Sequence, residues 1–246
     1  MPDIEKSSRL AVRLGISQLV AQLLINRGIE TEDAAHAYLY PTLNQLHSPF
    51  LLYGMEKVVE RIRLGMNRGE QIWIFGDYDA DGTTAASLLI NTFRHLDFPV
   101  KPYIPNRFEE DMVEFANALD IDVIITDHHQ PRPDALPPAI GLITPKMPES
   151  EYPFDGLAGV GLAFKLAHGL MGGGDLDPFL QSQLDLVALG PRINAAGRME
   201  TADKVVKLLT GESYDEVVPI AKELDAYQPK AAGSGEQNSG AGSRYD

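Results

Sequence analysis

Apolar residues follow two different rhythms along this chain. Between residues 8 and 67 they recur every three or four positions, as at Leu19, Leu23 and Leu24, which is the spacing of amphipathic helices. Thr31 with Asp33 close behind predicts a helix start ahead of DAAHAYLY, and Pro41 ends that helix. MEKVVERIRLGMNRG sets Val58, Val59, Ile62 and Leu64 against a charged face and predicts a helix closing at Gly65 or Gly69. From residue 71 the rhythm changes to short apolar runs. IWIF within residues 71–76, VKPYIP (100–105), DVIIT (122–126) and IGLIT (140–144) predict strands. Uninterrupted runs of this kind are typical of parallel strands covered on both faces.

Helical patterns separate these strands. TTAASLLINTFRHL places Ala85, Leu88, Leu89, Phe93 and Leu96 on one face, with Thr83 or Thr84 predicted as N-cap, and EEDMVEFANAL follows the second strand. The order β-α-β-α-β predicts an α/β fold with a mostly parallel sheet flanked by helices. Further helices are predicted at GVGLAFKLAHGLM (159–171), FLQSQLDLVAL (179–189), KVVKLLT and YDEVVPIAKELDAY. The end, AAGSGEQNSGAGSRYD, is too small and polar to build a core and is expected to be disordered or a linker. The expected organisation is a helical N-terminal segment (1–66), an α/β core (67–171), a helical segment completing it (172–228) and a tail (229–246).

Composition narrows the chemistry. The 246 residues include no cysteine, so disulfides, thiolate catalysis and Cys-type zinc sites are excluded. The start, MPDIEKSSRL, has no apolar core of a signal peptide, and no apolar run approaches the ~20 residues of a membrane span. A cytoplasmic protein without a membrane partner is expected. The net charge of −14 argues against a broad, sequence-independent nucleic-acid footprint. It leaves room for a site rich in metal-binding acids.

Such a site is written at residues 76–83, GDYDADGT, directly behind the first strand. Asp77, Asp79 and Asp81 stand at the carboxyl end of that strand, where ligand sites of parallel sheets gather. Three carboxylates there repel one another unless a cation or a shared proton offsets them, and oxygen donors suit Mg²⁺ or Mn²⁺. An EF-hand loop fits the first positions, but Leu88 stands where a bidentate Glu is required. A phosphatase with Asp79 as nucleophile also fits locally and needs a later Lys with paired acids. A metal-dependent phosphoesterase is the third reading. Asp127-His128-His129 follows the strand DVIIT at another carboxyl end, and imidazole beside carboxylate suits Mn²⁺.

With those motifs in place, GDYDADGTTAASLL, YIPNRFEE, DVIITDHHQP, YPFDGLAGVGLAFKL, DLVALG and GPRINAAGRM together resemble the bacterial RecJ single-strand-specific exonucleases of the DHH phosphoesterase superfamily. The resemblance spans roughly residues 8–228. It implies a 5′-to-3′ single-stranded-DNA exonuclease of repair and recombination, with paired Mn²⁺ or Mg²⁺ ions. It implies metal ligands at Asp79, Asp81, His128 and Asp185, with Asp77 and His129 in supporting or phosphate-facing roles. Asp79, Asp81, His128 and His129 then form the catalytic group. Arg107, Arg192, Asn194 and Arg198 would hold DNA phosphates, as Arg suits bidentate phosphate contacts. Implied partners are single-stranded DNA and, beside it, single-strand-binding protein or a helicase.

The chain departs from that family pattern in three places. A strand–helix unit of about 30 residues, carrying the acid that bridges the two metals, is missing ahead of DVIITDHH. DLVALG abuts PRINAAGRM without the family's intervening helical segment. The second, substrate-gripping domain does not follow. Two ions in the family thus become one or two here. The alternatives to an active nuclease are an impaired DHH-fold scaffold protein and a phosphoesterase of short oligonucleotides.

Overall fold

A computed structural model describes residues 4–105, 112–132, 136–194 and 202–225. The chain divides into two compact units, one ending at His47 and one beginning at Ser48. In the first unit, helices α1 (Ile4–Leu14), α2 (Gln18–Ile25) and α3 (Glu32–Leu39) bury Leu10, Ala11, Ala21, Leu24 and Ala35. Ser17 and Thr31 cap α2 and α3 by accepting from the Val20 and Ala34 backbone N–H groups at 3.2 Å each, each satisfying a donor the helix itself leaves open.

The second unit holds α4 (Met55–Arg68), β1 (Ile72–Phe75), α5 (Ala80–His95), β2 (Val100–Tyr103), α6 (Met112–Ala118), β3 (Ile124–Thr126), β4 (Gly141–Ile143), α7 (Gly159–Leu170), α8 (Pro178–Ser182), α9 (Leu184–Asn194), α10 (Ala202–Thr210) and α11 (Tyr214–Asp225). The fold is α/β, with short parallel sheets flanked by helices. Met55, Val58, Val59 and Ile62 of α4 join Ile74, Ile143, Leu162 and Leu166 in one core. The compact units therefore part some twenty residues ahead of the division expected at residue 66. An amphipathic helix goes with whichever surface covers its apolar stripe, and for α4 that surface is the α/β core. Residues 229–246, the expected tail, lie outside the described residues.

Strand pairing differs from a single continuous sheet. β1 pairs in parallel with β2 (Ile72 beside Val100, Phe75 beside Tyr103), and β3 pairs in parallel with β4 (Ile124 beside Gly141, Thr126 beside Ile143). Among the described residues no ladder joins the two pairs. β1 is also covered on one face only: Ile74 is 6% exposed, Trp73 57% and Phe75 42%. The expectation of cover on both faces is corrected accordingly, since side chains alternate along a strand and only the Ile72–Ile74 side meets the core.

Helix α5 begins four or five residues earlier than a threonine cap would place it. Its N-cap is Asp79, not Thr83 or Thr84. The two threonines instead return their hydroxyls to backbone carbonyls one turn back, Thr83 to Asp79 at 2.9 Å and Thr84 to Ala80 at 2.7 Å, and Ser87 and Thr92 do the same. With those hydroxyls satisfied, Thr83, Thr84, Ser87 and Thr92 are buried in a helix that packs against α7, α9 and α10. The segment expected as one helix at 179–189 is two, α8 and α9, parted at Gln183, and α9 runs unbroken from DLVALG into PRIN. Among the described residues no single helix is long and apolar enough to cross a membrane.

Candidate active site

The carboxyl ends of β1 and β3 are brought together from two directions. Behind the strands, the Arg61 guanidinium donates to Glu70 at 2.6 Å and to Asp122 at 2.5 Å, fastening the approach to β1 to the approach to β3. This double carboxylate contact raises the Arg61 pKa above its ordinary value. Beyond the strands, loop 76–82 folds tightly back on itself. A Cβ at Gly82 would stand 2.5–2.7 Å from the Asp77 backbone, so only glycine permits that return.

The fold puts the three aspartates of this loop to different uses. Asp77 Oδ1 accepts from the Tyr78 N–H at 2.7 Å, and Asp79 Oδ1 accepts from the Gly82 N–H at 2.7 Å as the α5 cap. Asp81 is 5% exposed. Its two oxygens accept from the first N–H groups of α7, Gly159 at 2.6 Å and Val160 at 2.9 Å. The positive end of a helix stabilises a buried carboxylate at this position. Gly159 is required for the approach, because a Cβ there would lie 2.7 Å from Asp81 Oδ2.

His128 comes to the same oxygen from β3. Its Nε2 lies 3.5 Å from Asp81 Oδ2. The adjoining His129 turns away: its Nδ1 and its backbone N–H approach Asp127 Oδ1 at 2.8 and 3.0 Å. The Asp127 carboxyl is pushed up by burial, but the hydrogen bonds from the His129 backbone and ring and the charges of both imidazoles outweigh that and hold it below its usual range. The two imidazole rings stand 4.4 Å apart, centre to centre.

Of the sequence-derived candidates, then, Asp81 and His128 come into contact, and Asp77 and Asp79 share the loop beside them. His129 is exposed and engaged with Asp127. Asp185 is exposed on the first turn of α9. Among the described residues no three acid or imidazole groups converge closely enough to enclose a metal ion. Arg107 and Arg198 lie outside the described residues, and Arg192 and Asn194 are placed only by the course of α9. A cavity of about 400 Å³ opens beside His128, between Lys146 and the loop leading into α7. Lys146 was not legible in the sequence, since a lone lysine behind a short strand carries no distinguishing spacing. The bonds from Gly159 and Val160 to Asp81 join residues 78 positions and more apart, which no local pattern reveals.

Residues 71–191 match the DHH family, N-terminal domain. The chain is a RecJ-like member of the DHH family. The single-stranded-DNA-specific exonuclease RecJ of Bacillus subtilis is 32% identical over 304 aligned positions, covering 91% of this chain and 38% of that protein. The Escherichia coli RecJ is 29% identical, covering 71% of this chain and 47% of that protein. The DHH chain therefore spans less than half the length of these curated relatives. An alignment of 304 positions is also longer than its 246 residues, so stretches of the relative stand opposite gaps in this chain. In structure, the Thermus thermophilus RecJ in complex with Mn²⁺ superposes with a TM-score of 0.69 at 20% identity, over 94% of this chain and 44% of that one. An exonuclease RecJ bound to manganese gives 0.58 at 22% identity, over 73% of this chain. These likenesses establish the DHH fold.

Proposed function

We propose that this chain is a metal-dependent phosphodiesterase that shortens single-stranded DNA from its 5′ end. The observation that carries the reading is the contact of Asp81 with His128, an acid and an imidazole delivered to one point by the ends of two different strands. The donor set suits a hard or borderline divalent cation, and RecJ structures that share this fold were solved with Mn²⁺ or Mg²⁺. Asp81 and His128, already in contact, would hold the ion, and Asp79 would join them on binding it, with Asp77 in support. When bound, such an ion polarises a phosphoryl oxygen and lowers the pKa of an attacking water. The protein's own contribution is positional. Buried N–H donors fix Asp81, Asp127 fixes the ring of His129, and Gly82 closes the loop that keeps the carboxylates together. Arg107, Arg192, Asn194 and Arg198 are proposed phosphate contacts, and Asp185 a further ligand.

The setting that fits this activity is DNA repair and recombination in the cytoplasm, with single-strand-binding protein or a helicase supplying the strand. The test is Mn²⁺-dependent release of mononucleotides from 5′-phosphorylated single strands. Absence of release from folded protein at high concentration overturns the reading for this chain.

One observation favours a second reading. The carboxylates of Asp79 and Asp81 are both committed to backbone N–H groups, and the family resemblance places a bridging acid in a unit this chain is expected to lack. A DHH-fold scaffold that docks partners without cutting DNA accommodates both facts. Calorimetric titration separates the two: two tight Mn²⁺ sites support the enzyme, and one weak site or none supports the scaffold.

A further inference from the structure

We infer that the outward face of the β1–β2 pair is a stacking surface for the bases of a single strand of nucleic acid, with Trp73, Phe75 and Tyr103 as the rings and Lys101 meeting the backbone phosphate. The inference rests on the single-stranded-DNA reading above for its ligand class and on three separate observations for its place. None of the acids, imidazoles or arginines named for the strand-end site belongs to it.

The first is composition. Side chains alternate along a strand, so Ile72 and Ile74 meet the core while Trp73 and Phe75 point out. In the parallel register Lys101 lies beside Trp73, and Tyr103 beside Phe75. The outward face therefore presents three aromatic rings and one cation. Trp73 is 57% exposed, Phe75 42% and Tyr103 49%, and Lys101 is exposed as well. A parallel pair in an α/β fold is normally covered on both faces, and grouped exposed rings mark a binding surface. Rings with a cation among them, and no aliphatic side chain in these four positions, suit nucleobases. Every base has a π-face, and stacking on Trp, Tyr or Phe holds single strands without regard to sequence.

The second is spacing and charge. Residues two apart on a parallel strand stand about 6.6 Å from one another, so Trp73 and Phe75 offer two successive stacking positions. Phe75 and Tyr103 meet at 5.5 Å between ring centres, with their planes tilted by 38°. The Lys101 ammonium lies 5.1 Å from the centre of the Trp73 ring and makes no ion pair with a carboxylate among the described residues. In the free protein the indole is its partner, whereas a phosphodiester brings a full opposite charge to the same place. With a net charge of −14 on the chain, affinity has to come from stacking more than from phosphate neutralisation.

The third is continuity with the strand-end site. The ladder runs one step past the strands, with the Gly76 N–H donating to the Tyr103 carbonyl at 3.1 Å. Phe75 and Tyr103 thus stand at the carboxyl end of the pair, and Gly76 opens the loop that carries Asp77, Asp79 and Asp81. The rings begin one residue before that loop, so one strand can engage both, with a phosphate at the acids and neighbouring bases on the rings. Helix α6, the next described helix after β2, is tied elsewhere, its Asn117 amide donating to the Pro138 carbonyl at 2.7 Å.

The experiment follows the emission of Trp73, the single tryptophan, while the full chain is titrated in EDTA with octathymidylate. EDTA withholds divalent ions and so keeps the strand intact. Saturable quenching is expected, with a duplex of the same length at least about tenfold weaker because its bases are already stacked. Tyr103→Ala is expected to weaken binding at least about fivefold, and Tyr103→Phe to change it less than about twofold. Between about 50 and 200 mM salt, wild-type affinity is expected to fall no more than about threefold, as for one phosphate contact. Lys101→Ala, which removes only an exposed side chain, is expected to abolish that fall. Absence of quenching overturns the inference, as does unchanged affinity in folded Tyr103→Ala or a salt-driven fall of about tenfold or more. A dimer in sedimentation that Tyr103→Ala dissociates also overturns it, because the face is then an interface between two copies. A chain that binds through these rings but releases no nucleotide with Mn²⁺ refutes the phosphodiesterase reading alone. Mn²⁺-dependent release with binding indifferent to Tyr103→Ala refutes this surface alone.

Discussion

Gly159 donates its backbone N–H to Asp81 Oδ2 at 2.6 Å, and a methyl group on Gly159 would stand 2.7 Å from that same oxygen. The hydrogen bond and the missing side chain are one device. They let a buried carboxylate end a helix while facing His128. Gly159→Ala is expected to destabilise the fold by about 1–3 kcal/mol, the range for forcing extra atoms into a packed site. Asp81→Ala, which strands two buried N–H donors, is expected to cost a similar ~1–3 kcal/mol. Urea denaturation of both variants checks this, and a loss below ~0.5 kcal/mol in either would show that the cap contributes little.

The same geometry separates the two histidines. His128 is in contact with Asp81, while His129 is 78% exposed and bonded to Asp127. If the cation site is where the strand ends meet, His128→Ala should weaken Mn²⁺ binding by at least about tenfold. His129→Ala should change it by no more than about twofold, on the order of the small cost of altering an exposed pair. Equal losses in the two variants, measured by calorimetry, would place the ion elsewhere.

Lys165 gives a pH signature of its own. Burial lowers its pKa from the ordinary 10.5 to about 8, with its ammonium 5.7 Å from the centre of the Tyr152 ring. Between those two values the unfolded chain holds a proton that the folded chain has released, so stability rises with pH. The stabilising contribution is fully present above 10.5 and lost as pH falls through 8. Tyr152, pushed up to about 12 by burial, acts in the opposite sense above pH 10. The comparison therefore belongs at pH 8–9.5. There the stability of the wild type should gain up to ~1.4 kcal/mol per pH unit relative to Lys165→Met, and parallel profiles would remove Lys165 as the cause.

Trp73, the single tryptophan, reports on the bare face of β1. It is 57% exposed, with the Lys101 ammonium 5.1 Å from its ring centre. Its emission should be that of a solvated indole, readily quenched by acrylamide, and Trp73→Ser should shift stability by less than ~0.5 kcal/mol. Blue-shifted, protected emission would mean that this face is covered in solution.

The sequence alone determined the succession of most elements and the candidate groups at the strand ends. Apolar runs ending in GDYDADG and DHH fix two strands whose carboxyl ends carry acids and imidazoles, because periodicity and turn residues are local properties. It also determined the family, through motifs each contained within about fifteen residues. Tertiary structure decided what each acid does. Asp79 and Asp81 look equivalent in the sequence, yet one caps its own helix and the other caps a helix 78 residues away. It also decided that β1 has only one covered face, that α4 belongs with the α/β core, and that Lys146 stands beside His128. Each of these depends on which distant surfaces meet, and burial and charge pairing are settled between segments rather than within them.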